Sequence, residues 1–193
     1  MIKIETVDNV IWDRISVIKI TKYPFEQKAF KPFAQARLCY KRGNGLIVKM
    51  LAFEVAPPLR ICVNGDLEIY KDSVLSVVLG ENNRSNLTGI AITFNKNGNY
   101  IIQKIVDEKK EILQEKIKID SFSGEDLQGI YWGGCFIIPN NLLKKYLNID
   151  LDKENILNLN FIKSCSNKQY FHCGGFIPVK GSWVNNLYEF ILS

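Results

Sequence analysis

The sequence predicts an all-β protein, an antiparallel β-sandwich of two packed sheets with one short α-helix. Three observations carry that expectation. Apolar and polar residues alternate with the period of a half-buried strand, as in Arg14-Ile-Ser-Val-Ile-Lys-Ile-Thr21. Two Asn-Gly pairs, Asn44-Gly45 and Asn97-Gly98, lie between apolar runs, where residues that tolerate positive φ close hairpins. Only residues 140–148 repeat their apolar side chains convincingly at helical spacing.

The elements follow in order. Trp12 stands before the first strand as a core anchor, and Tyr23-Pro24-Phe25 ends that strand. Ala34–Lys41 and Gly45–Val55 flank the first Asn-Gly turn, and Ala56-Pro57-Pro58 closes the second of them. After a polar loop, Tyr70-Lys71-Asp72-Ser73 opens a strand that runs to Gly80. Residues 81–87, rich in Asn, Ser and charge, read as a loop. Gly89–Phe94 and Tyr100–Ile105 flank the second turn. Residues 106–114 mix charges with Ile112 and Leu113, and read as a charged excursion with room for a helical turn. Lys116–Phe122 alternates again. In the apolar strand Gly129–Ile138, Gly133-Gly134 marks a bulge or a close backbone approach. Asn140 is placed to cap the helix, whose apolar face is Leu142, Leu143, Tyr146 and Leu147. Ile156–Lys163, a turn at Gly174-Gly175-Phe176-Ile177-Pro178 and a last strand Leu187–Leu192 complete the chain.

At 193 residues the chain is long enough to bury a full core, and it reads as a single domain, 1–193. Its net charge of +5 comes from scattered lysines, which favour solubility over a nucleic-acid footprint. No apolar run is long enough to span a bilayer. Neither nucleic acid nor membrane is therefore expected as a partner. The first residues carry acids and no apolar h-region, unlike a secretory signal. Five cysteines, an odd number, lie mostly within apolar strand patterns, which fits a reduced, cytoplasmic protein.

Trp12, the Ala34–Lys41 strand, the Gly45–Val55 strand with Glu54, and Tyr70-Lys71-Asp72-Ser73 succeed one another in a telling order. Asn95-Lys96-Asn97-Gly98, Trp132 with Ile138-Pro139, and Phe176-Ile177-Pro178 extend it. In this order the chain resembles the family 9 carbohydrate-binding modules and their broader relatives, over nearly its whole length. The resemblance implies a non-catalytic β-sandwich that holds a sugar between two aromatic side chains. One precedes the Asp-Ser pair, where Tyr70 stands, and one precedes the late Pro, where Phe176 is the nearest match. Both are usually Trp in the family. A strand acid that bonds sugar hydroxyls is replaced by Ser76, which implies altered selectivity. Some members bind calcium. No acidic cluster here rebuilds such a site, so no cofactor is expected.

Each candidate has a plainer reading. Tyr70 and Phe176 suit the apolar C–H faces of a sugar, and suit a core equally. Asp72 can accept from hydroxyls, yet Asp72 and Ser73 also suit a loop-to-strand cap. Ser76 sits mid-strand. Arg37 can bond a ligand bidentately, or simply pair at the surface. Cys165, His172 and Cys173 invite zinc, but the single histidine and the lack of a Cys-x-x-Cys argue against it. Neighbouring strand residues face opposite ways, so Cys173 and His172 make a poor nucleophile dyad. Glu54 and Asp72 are the acid pair that a glycoside hydrolase would need. Two other functions therefore stand beside sugar binding: a protein-interaction or structural β-sandwich that has lost sugar binding, and an uncharacterised hydrolase.

Overall fold

The structure is a computed structural model that describes residues 2–24, 31–54, 62–81 and 87–193. The Ala56-Pro57-Pro58 corner, Val55, Phe25 and residues 82–86 of the Asn-rich loop lie outside the described residues. The strands are β1 (Ile2–Thr6), β2 (Ile18–Ile20), β3 (Ala34–Lys41), β4 (Gly45–Phe53), β5 (Val74–Gly80), β6 (Thr88–Asn95) and β7 (Tyr100–Val106). They continue with β8 (Lys109–Ile112), β9 (Ile119–Asp126), β10 (Gly129–Pro139), β11 (Ile156–Cys165), β12 (His172–Gly175) and β13 (Tyr188–Leu192). The helix α1 (Asn140–Leu147) lies between β10 and β11.

Among the described residues the protein is mostly β with one α-helix, but the strands form one curled, mixed sheet, a half-barrel, rather than two separate antiparallel sheets. Its order is β8-β7-β6-β5-β11-β13-β1-β3-β4-β10-β9, with β12 on β11 and β2 on β3. β1 is the stitch. Its first residues run parallel to β13, with Ile2 opposite Phe190, and its last run parallel to β3, with Glu5 opposite Cys39. The named strands pair antiparallel everywhere else. A parallel pair between chain ends has no connecting turn, so no local sequence signal announces it.

The inward side chains of both halves share one core. Val48, Met50, Trp132 and Phe136 come from one half, and Val77, Ile92, Phe94 and Phe161 from the other. Phe94 meets Trp132 and Phe136 edge-on, with ring centroids 6.2 and 5.6 Å apart. The helix adds Leu142, Leu143 and Leu147 to the same core and packs against β6 and β10, one strand from each half. Asn140 does not cap it: Pro139 holds the N-cap position and Asn140 is the first helical residue. The helix stops at Asn148, which adopts the left-handed conformation at φ 52°.

Two other expectations change, and a third is narrowed to one of its alternatives. Residues 106–114 form the β7–β8 hairpin instead of a charged excursion; their exposed Lys and Glu side chains mark a sheet edge. The β10 register runs unbroken past Gly133-Gly134, so these glycines serve close approach and not a bulge. A Cβ on Gly134 would lie 2.7 Å from the Phe94 ring. Trp12 is half-buried in a satellite cluster with Ile15, Cys39 and Ile47, on the face of the sheet away from the main core.

Candidate functional site

The five residues singled out in the sequence scatter over the fold. Tyr70 lies in a 3-10 turn on the outer face of the β5–β6–β7 region, and its hydroxyl bonds Gln103 and Thr93. Burial pushes that hydroxyl's pKa up to about 12, against the hydrogen bond to Thr93. Its ring meets Trp183 edge-on at 5.5 Å, and the Lys110 ammonium lies over both rings at 5.0 and 4.8 Å. Phe176 packs instead with the inner core, against Tyr188 and Phe190 at 5.3 and 5.9 Å. The sheet separates the two rings, so Phe176 does not form a wall opposite Tyr70.

Asp72 is 1% exposed, and its Oδ2 accepts from the Cys62 amide at 3.0 Å and from Asn95 Nδ2 at 2.9 Å. This is the loop-to-strand tie. Ser76 is fully buried and bonds Thr93, its cross-strand neighbour, at 2.8 Å. The Arg37 guanidinium donates to the Trp12 and Ile15 carbonyls, pinning the N-terminal turn to β3. Glu54 and Asp72 belong to separate networks.

The sequence reading overlooked an ion pair inside the half-barrel. Lys163 follows Leu157, Leu159 and Phe161 on the inward face of β11 and is 0% exposed. Its Nζ lies 2.7 Å from Glu54 Oε1 and 2.9 Å from His172 Nε2, and also donates to Ser73 Oγ. His172 Nδ1 lies 2.8 Å from the Tyr170 carbonyl, which can only accept. Nδ1 therefore carries the imidazole proton and Nε2 accepts from Lys163. Three donors meet three acceptors, which suits an ammonium. Glu54 Oε1 also accepts from Ser73 and from Trp132 Nε1 at 3.2 Å.

The electrostatics agree. Burial raises the Glu54 pKa, but the Lys163 charge and the hydrogen bonds from Lys163, Ser73 and Trp132 outweigh it and leave the carboxyl below its ordinary value. Burial and the Lys163 charge push His172 down to about 3, against the bond to Tyr170. Burial pulls Lys163 down and Glu54 opposes it. The arrangement is a neutralised pin, with its charges satisfied.

Glu54 also lines a groove of about 430 Å³, together with Phe33, Phe53, Ile130 and the polar rim of Lys31, Glu125 and Gln128. Phe33, Phe53 and Tyr131 form a half-buried row on the outer face, across the adjacent strands β3, β4 and β10. Their centroids are 5.9 and 5.5 Å apart, and successive rings tilt by 46° and 54°. Period-two counting puts Phe53 and Tyr131 on one face. Their juxtaposition depends on the register Tyr131 opposite Phe53, which no local motif sets.

The chain matches no protein-family model and no curated protein sequence. Among solved structures it is similar to a putative carbohydrate-binding protein from Bacteroides uniformis, with a TM-score of 0.78 and 15% identity. The similarity covers 100% of this chain and 98% of that one, and it establishes a shared fold.

Proposed function

We propose that this protein is a non-catalytic carbohydrate-binding domain that holds its sugar in the groove beside Phe33 and Phe53. One observation carries the reading: two half-buried aromatic rings, Phe33 and Phe53, line an open groove with a carboxylate, an amide and an ammonium at its rim. Aromatic faces pack on sugar C–H surfaces at little entropic cost, and the rim groups select hydroxyls. The carbohydrate-binding description of the Bacteroides uniformis protein, which shares the fold, supports the same class. Binding without catalysis is favoured because the Glu54 carboxylate is neutralised by Lys163 and already accepts from Ser73 and Trp132. A family 9 site would lie between Tyr70 and Phe176. The groove is preferred because those two rings face opposite sides of the sheet. A reduced, cytoplasmic setting and the lack of a bound metal belong to this proposal.

The test is a glycan array followed by calorimetric titration of cello- and xylo-oligosaccharides. Phe53→Ala is expected to lower affinity about tenfold, the equivalent of one stacking ring. Tyr70→Phe is expected to leave it unchanged. Equal binding by native protein and Phe53→Ala refutes the site. No glycan binding at all replaces this reading with a protein-interaction or structural domain.

A further inference from the structure

Two glycines extend the aromatic row beyond the groove. Tyr131 on β10 pairs with Gly124 on β9, and a Cβ on Gly124 would lie 2.6 Å from the Tyr131 hydroxyl and 2.7 Å from Cζ. The Tyr131 ring therefore lies across the β9 backbone. The neighbouring cross-strand pair repeats the device in reverse. Phe122 on β9 pairs with Gly133 on β10, where a Cβ would lie 2.7 Å from Phe122 Cζ. Both rings lie over glycine on the outer face, and both remain half-buried instead of covered. From β4, two strands back from β9, the Lys49 ammonium reaches to 5.4 Å from the Phe122 ring and 5.4 Å from the Trp12 ring.

We infer that the sugar site is a multi-subsite face for the interior of a single soluble polysaccharide chain, running from the groove over Tyr131 to Phe122. This rests on the groove being the sugar site. Adjacent strands lie about 4.8 Å apart, so a row crossing them offers stacking positions at about the spacing of successive sugar units. The 46° and 54° tilts turn the ring faces along the row. A twisted single chain can follow such a surface, whereas a flat crystalline face needs coplanar rings. Among the described residues, nothing in the row closes around a chain terminus.

The experiment is calorimetric titration with cello-oligosaccharides from the disaccharide to the hexasaccharide, each also with its reducing end converted to the alditol. Affinity is expected to climb about tenfold or more from short to long chains and to be indifferent to the reduced end. Phe122→Ala should cancel the climb, and Phe122→Tyr should restore it. Gly124→Ala, which tips the Tyr131 ring upward, should weaken long chains without unfolding the protein. Protein should not sediment with crystalline cellulose. Affinity that is flat with length, lost on reduction of the terminus, or stronger for crystalline cellulose overturns this inference and leaves the groove assignment standing if Phe53→Ala still lowers affinity about tenfold. The absence of binding to every oligosaccharide overturns both.

Discussion

Replacing Lys163 with Met removes the cation at the centre of the buried network while keeping most of the side-chain volume. The Glu54 carboxylate then stays in the interior with no counter-charge, and Ser73 and His172 lose their donor. Lys163 is 0% exposed and the Glu54 side chain 9%, so water and salt do little to screen the orphaned charge. Breaking a buried pair from one side costs about 3–5 kcal/mol. That is a large part of the roughly 5–15 kcal/mol that holds a domain folded. The companion Glu54→Gln/Lys163→Met removes both charges and should recover about half of that loss or more, because neither desolvation penalty remains. The assay is urea unfolding followed by tryptophan fluorescence, to which Trp132 contributes beside Trp12 and Trp183; Trp132 bonds Glu54 and lies under Lys163. A single Lys163→Met variant that loses less than about 1 kcal/mol at an unchanged m-value would refute a charged, buried pair.

Three further outcomes follow from the structure. Stability should fall as the pH drops from about 6.5 towards about 3, with a slope of up to about 1.4 kcal/mol per pH unit from His172 alone. The sign follows because folding depresses the pKa of both His172 and Glu54, so the unfolded chain takes up the protons; urea midpoints against pH should flatten in His172→Gln. Tyr70→Phe should cost about 1–2 kcal/mol in the same urea assay, because Gln103 loses its hydroxyl donor in a buried setting. Thiol titration should find five reactive cysteines in denaturant. In the native state Cys39 should react slowly, since burial, with Cys135 and Glu5 nearby, raises it to about 11; a protected pair in denaturant would contradict the five free thiols.

Local pattern determined a good deal of this protein. Apolar runs bounded by turn residues located β3, β4, β5, β6, β7, β10, β11 and β13, and polar–apolar alternation located β9, each to within a few residues, because local hydrophobicity reports burial whatever the partner strand is. It also held an unread signal. Lys163 falls on the inward parity of β11, which calls for buried acceptors, an acid first among them, to meet it. Which acid, and how the strands close, were decided by tertiary structure alone. Glu54 and Lys163 come together only because β4 and β11 lie in opposite halves of one curled sheet, stitched by the parallel pairings of β1. Tyr70 and Phe176 are parted by the same closure, and Phe33, Phe53 and Tyr131 are aligned by cross-strand register. Alternation tells which way a side chain points, and only the pairing of distant strands tells what it meets there.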